Sequence, residues 1–287
     1  MTQLRFRFAL AICLVAFTIP LSYSQTQATC TFTLFQAPGQ VNGVNDFHTT
    51  VGQSNTNIQL AFIRFSGGGI SYFSPPNAAA TSLNARNDGG VSVGFYSTQG
   101  STSTISKGVI VTGSTFTTFT HPKSVLGTRL TGINKYNSTV GWYLDSGEIP
   151  HGFKRYSNGG LQTLDFPGSG GTNPAAINDF GTVAGSFTDI SGGQHGFVYH
   201  GGTWAQVDYP GSNGQTQLVG ISNGNVVVGF STLQEPYVSF IYVNGVFKTI
   251  SVPNSFSTNV TNISANGVIS GNVAYTSSSS AFTATCK

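Results

Sequence analysis

The chain has 287 residues, of which 37 are glycine and 22 phenylalanine, while only 7% are charged. A net charge of +3 with no basic cluster excludes the electrostatic footprint of a nucleic-acid binder. Abundant Gly, Ser, Thr, Asn and Phe beside sparse Leu, Glu and Lys favour strands and tight turns, and no amphipathic helix follows residue 25.

At the N-terminus, Arg5 and Arg7 precede the apolar run FALAICLVAFTIPL, and Ser22 and Ser24 supply small residues at cleavage positions. This pattern predicts a signal peptide over residues 1–24 and one mature domain over residues 25–287. The run is short for a bilayer span, and no later stretch is long and apolar enough to be one. The mature chain is therefore expected to be secreted, or periplasmic if retained in a Gram-negative host, with no membrane span. Removing Arg5 and Arg7 leaves ten Lys and Arg against nine Asp and Glu.

From residue 39 onward the chain repeats. Gly52, Gly94, Gly141, Gly185, Gly229 and Gly271 recur at intervals of 42, 47, 44, 44 and 42. Seven residues before each stands Asn45, Asn87, Asn134, Asn178, Ser222 or Ser264. Four residues before come His48, Gly90, Asn137, Gly181, Asn225 and Gly267, just ahead of a Val-rich run. Gly and Asn there predict a left-handed residue closing a tight hairpin, and the upstream Asn or Ser is placed to bond the turn backbone. The aligned glycine predicts a bulge or a close backbone approach.

Residues 176–211 show a whole copy: AAIN, TVAGSF, HGFVYH and TWAQVDYP read as four strands, with Gly201-Gly202 as the last hairpin turn. A proline ends the fourth strand in every copy, where a lost ladder donor does no harm. Four short antiparallel strands in each of six copies predict a six-bladed β-propeller. TFTLFQAPG at residues 31–39 is a lone fourth strand, and AFTATC at 281–286 a last third strand, so pairing the two ends would close the ring. Cys13 leaves with the signal peptide. Cys30 and Cys286 then fall on the positions of Gly202 and Gly201, which predicts a disulfide in place of that turn.

The segments GINKYNSTVGWY…HGF and AINDFGTVAGSF…HGFVYHGGTWAQVDYPG resemble the extracellular HAF-repeat proteins, named for the start of the third strand. The resemblance spans essentially the mature chain and is strongest over residues 130–211. Residues 119–123 and the long loop of the second copy depart from it, and Ala61, Ser239 and Ala281 precede the Phe without the His. It implies a repeat architecture and secretion, and brings no catalytic residues.

A residue recurring in several copies serves the blade, whereas one that breaks the repeat is a better functional candidate. His151 and His195 share a slot and read as structural hydrogen-bonding residues; Asp165 and Asp208 read as turn caps. Asp145 and Asp189 hint only weakly at calcium, and no metal or cofactor motif occurs. The ligand-binding candidates are Arg86, His121, Arg129, Trp142, Glu148 and Glu235; the face with the second-to-third-strand loops is expected to carry His121, Lys123, Arg129, Asp145, Glu148, Asp189 and Glu235, with Trp142 and Tyr237 as exposed aromatics. Arg86 stands where the other copies have Ile or Val, so it must reach the channel or a partner. No nucleophile motif is present. The expected function is non-catalytic binding or scaffolding toward a glycan or protein, as a monomer. The alternative is an extracellular polysaccharide hydrolase or lyase using Glu148 and Glu235 across the ring. Sequons stand at Asn137, Asn259 and Asn262.

Overall fold

The computed structural model describes residues 26–98, 105–233 and 235–287, so the expected signal peptide lies outside the described residues. β1 (Thr26–Gln27) and β2 (Cys30–Phe35) precede the first full copy, β3–β6 (Gly39–Val44, Thr50–Ser54, Ala61–Arg64, Ile70–Phe73). The second is β7–β10 (Ala78–Arg86, Val91–Thr98, Ser106–Thr112, Thr115–Phe119) and the third β11–β14 (Gly127–Ile133, Thr139–Leu144, Pro150–Arg155, Leu161–Thr163). The fourth is β15–β18 (Gly171–Ile177, Val183–Thr188, Gln194–His200, Thr203–Val207) and the fifth β19–β22 (Thr216–Ile221, Val227–Ser231, Val238–Val243, Val246–Ile250). The sixth is β23–β25 (Ser257–Ile263, Ile269–Ala274, Ser279–Cys286), with β2 antiparallel on β25. Among the described residues there is no helix: the protein is an all-β propeller.

Six separate sheets are not what forms. Hydrogen bonding gives five, of which four are single blades, one carrying β1 in parallel on β22. The fifth has eight strands, because Gly127 pairs in parallel with Ser106 and joins the second and third copies. Gly127 adopts φ 149°, and a Cβ there would stand 2.7 Å from Ser106 Oγ, so glycine permits the join. First strands pack on second strands of neighbouring copies: β7 on β4, β11 on β8, β15 on β12, β19 on β16, β23 on β20 and β3 on β24.

The aligned glycine has a physical cause in every copy. A register shift opens in the first strand opposite it, between Val41 and Gly43 in the first copy and between Pro174 and Ala176 in the fourth. From the other side, the third-strand Phe lies on the glycine, as Phe62 does on Gly52 and Phe197 on Gly185. Phe62, Phe153, Phe197, Phe240 and Phe282 are each 0% exposed; Val109 fills the place in the second copy. Burying one such ring stabilises by roughly 2–3 kcal/mol through transfer alone.

The hairpin column holds as read. His48, Gly90, Asn137, Gly181, Asn225 and Gly267 all have positive φ. The upstream Asn accepts from two turn amides; Asn134 Oδ1 takes Tyr136 N at 3.1 Å and Ser138 N at 3.0 Å. Its Nδ2 crosses to the next copy: Asn87 donates to Asn134 O, Asn134 to Asn178 O and Asn178 to Ser222 O. Cys30 and Cys286 are cross-strand partners on β2 and β25 and form a disulfide.

Candidate ligand-binding site

The first strands of the six copies bring one row of side chains together. Ten residues before each aligned glycine stand Asn42, Asn84, Thr131, Ala175, Val219 and Thr261, and all six line a single cavity of about 320 Å³. Asn173, Gln217 and Asn259, two residues earlier in the strand, join them, as do Ser186, Trp142 and Phe230. The lining holds amides, hydroxyls and two aromatic rings, and no carboxylate.

Hydrogen bonds between copies hold this lining. Asn42 Nδ2 donates to Leu83 O at 3.1 Å, Asn84 Nδ2 to Leu130 O at 2.8 Å, and Thr131 Oγ1 to Pro174 O at 2.6 Å. Asn259 differs: its Oδ1 is buried with no partner, although the residue is among those lining the cavity. A buried acceptor left this way is costly.

Arg129 is not itself part of the lining; it stands cross-strand from Trp142, which is. Its guanidinium lies 4.1 Å from the Phe95 ring centroid and 5.0 Å from that of Trp142. Burial pushes its pKa below the ordinary arginine value. Phe95, Trp142 and Phe230 all follow the aligned glycine directly, where Gln53, Ser186 and Asn272 stand in other copies. The column is a seam between copies that varies in chemistry, and that variation was the sequence signal for Phe95 and Phe230.

The remaining candidates scatter. His121 is 7% exposed and stacks on Tyr143 at 4.1 Å, with Lys123 N donating to its Nδ1. It fills the place that Phe166 and Tyr209 hold in the following copies, so it packs rather than presents. Burial chiefly, with Lys123 nearby, holds its pKa below the usual imidazole value. Glu148 and Glu235 are exposed on loops after second strands, and neither lines the cavity. Arg86 lies at the opposite end of the first strands, among the hairpin turns, so it does not converge with them. There its Nη1 donates to Ser92 Oγ at 2.8 Å, and it lines a narrow opening of about 50 Å³ with Asp46, Asp88, Lys135 and Asp179. Asp88 is pushed up to about 6 by burial and by its hydrogen bond with Asp46.

The recurrent His and Asp form one unit in two copies. His195 Nδ1 meets Asp208 Oδ2 at 2.8 Å and its Nε2 meets Asp189 Oδ2 at 3.2 Å; His151 sits likewise between Asp165 and Asp145. Asp189 Oδ1 and Asp145 Oδ1 are taken by turn amides, which leaves these carboxylates committed to their own loops. Of the sequons, Asn259 and Asn262 lie on β23 at the cavity, and Asn137 closes a hairpin turn.

No protein-family model matches this chain, and no curated protein does. Among solved structures, a candidate gluconolactonase is similar at 11% identity over 92% of this chain and 95% of its own, with a TM-score of 0.52. TolB from Acinetobacter baumannii is 13% identical over 76% of this chain with a TM-score of 0.50, and the chain spans 57% of its length. The β-propeller domain of the Trilobed protease from Pyrococcus furiosus is 11% identical over 88% of this chain and 95% of its own, at a TM-score of 0.48. Identities this low speak to fold alone.

Proposed function

We propose that this chain is a secreted, closed six-bladed propeller of the HAF-repeat kind, and that its loop-side mouth binds a glycan without acting on it chemically. The observation that carries the reading is the cavity lined by six copies with amides, hydroxyls, Trp142 and Phe230, and no carboxylate. Sugars are recognised by aromatic faces and by amide and hydroxyl partners for their hydroxyl groups. Packing of β3 on β24 and the pairing of β2 on β25 support closure, and the Cys30–Cys286 bond suits an oxidising compartment. A hydrolase or lyase would bring Glu148 or Glu235 into the cavity, and neither side chain lines it.

A protein partner is the second reading, favoured by the hairpin side. Phe47, Tyr136 and Phe180 occupy equivalent turn tips and are 63%, 59% and 68% exposed. Three large rings this open on one face mark an interaction surface. Calorimetric titration with an oligosaccharide panel tests the first reading: binding weakened at least ~10-fold by Trp142→Ala supports it. Binding untouched by that variant but lost in Phe47→Ser/Phe180→Ser would move the site to the hairpin face.

A further inference from the structure

We infer that the ligand of the loop-side mouth carries a carboxylate, and that Arg129 is the residue that selects it: the fitting class is a uronic-acid glycan. The inference rests on the reading of that mouth as a glycan site and adds the charge. Two rings flank the Arg129 guanidinium, Phe95 at 4.1 Å and Trp142 at 5.0 Å. They leave its edge, where all five N–H donors lie, to be satisfied. Nε is buried with no partner, and none of the ion pairs among the described residues includes Arg129.

Blade packing does not require a charge here. The equivalent position holds Gln40, Ser82, Asn173, Gln217 and Asn259 in the other copies, all neutral, and each belongs to an equally regular first strand. A cation held in a half-desolvated place without a counter-ion gains most from an anion that arrives with the ligand. A planar guanidinium fork matches a carboxylate bidentately, and lysine lacks that match. Trp142 lines the cavity and Arg129 lies directly behind it, so a sugar ring resting against Trp142 could bring its own carboxylate toward the fork. In a uronate the carboxylate is attached directly to the ring, which makes the two contacts compatible.

The test compares an oligogalacturonate with its fully methyl-esterified form, which keeps the sugar ring and removes the charge. Binding is followed by calorimetry and by Trp142 fluorescence in a Trp204→Phe background. The acid is expected to bind at least ~10-fold more tightly than the ester at low salt, with the preference lost in Arg129→Gln and reduced in Arg129→Lys. Thermal melts of both variants confirm that they fold. Equal affinity for acid and ester, or a preference that survives Arg129→Gln, overturns the inference; if Trp142→Ala still weakens the ester, the glycan reading stands without it. Binding of neither form overturns both.

Discussion

Phe197 and Gly185 face each other across β17 and β16, and the phenylalanine ring occupies the space a side chain at position 185 would need. A Cβ added to Gly185 would stand 2.9 Å from Phe197 Cε1 and 2.7 Å from Pro174 Cα. The second contact is backbone and cannot rotate away. Gly185→Ala is therefore expected to cost about 2–3 kcal/mol by overpacking, and Phe197→Ala about 3–5 kcal/mol by leaving a cavity. Urea denaturation measures both. A Gly185→Ala protein as stable as the parent would show that the glycine is not held by this contact.

The Asn column does two jobs that one substitution separates. Asn178 Oδ1 accepts from Phe180 N and Thr182 N, while Nδ2 donates to Ser222 O at 3.0 Å and Asn225 Oδ1 at 3.2 Å. Ser222 and Ser264 keep only the turn bond, through Val226 N and Val268 N. Asn178→Ser should thus lose the bridge between copies and keep the hairpin, at about 1–2 kcal/mol, with Asn178→Ala costing about 1 kcal/mol more. Equal losses in the two variants would mean that the turn bond contributes nothing.

Much of this was legible in the residues themselves. The left-handed hairpin position and the strand order within a blade follow from local rules that act within one repeat, and the Cys30–Cys286 pairing follows from laying the two chain ends on a complete copy. What was not legible depends on relations between repeats. The Asn amide that crosses to the next copy looks the same in sequence as one that only closes its own turn. His121 seemed to break the repeat because histidine is polar, yet its ring does the packing that Phe166 does one copy later. Arg86 and the two glutamates were candidates for one site because all are charged exceptions, but strand direction sends them to opposite ends of the blades. Gly127, which merges two copies into one sheet, reads in sequence as an ordinary linker glycine.

The Asp–His–Asp units give stability a pH dependence with a definite sign. Burial alone would lower the pKa of His195, but its bonds to Asp208 and Asp189 outweigh that and hold it above the usual imidazole value. Its contribution is therefore fully present below the unfolded pKa of about 6.5 and is lost as pH rises through the folded value. Asp189 is held well below the carboxylate range, first by Ser191 and then by Gly193, so its contribution is present above about pH 4 and lost as pH falls. Stability should be greatest between these limits. In His195→Gln the decline above the unfolded imidazole pKa of about 6.5 should flatten, measured by urea midpoints at stepped pH. An unchanged slope would mean that His195 titrates normally.

The disulfide between Cys30 and Cys286 spans a sequence separation of 256 and joins the outermost strand of its sheet to β25. On the chain-entropy account a link of that length stabilises by on the order of 5 kcal/mol, because the unfolded chain loses the freedom of a very long loop. Cys30→Ser/Cys286→Ser, or reduction of the parent, should lower the urea midpoint in the same proportion. The double variant should not respond to reductant. A reduced parent that unfolds at the oxidised midpoint would show that strand pairing alone holds the two ends.

Glu148 and Glu235 discriminate binding from catalysis. Both are exposed on loop-side connections, Glu148 at a positive φ of 62° and Glu235 beside Tyr237, whose pKa it raises by hydrogen bonding. Neither lines the cavity that carries Trp142. Glu148→Gln/Glu235→Gln is expected to bind an oligosaccharide within a factor of about 2 of the parent, since exposed charges distant from a site shift affinity little. Long incubation of polysaccharide with the parent, followed by reducing-end and unsaturated-product assays, should release nothing above the double variant. Product formation by the parent and its loss in the double variant would make the loop carboxylates catalytic and replace the binding assignment with a hydrolase or lyase.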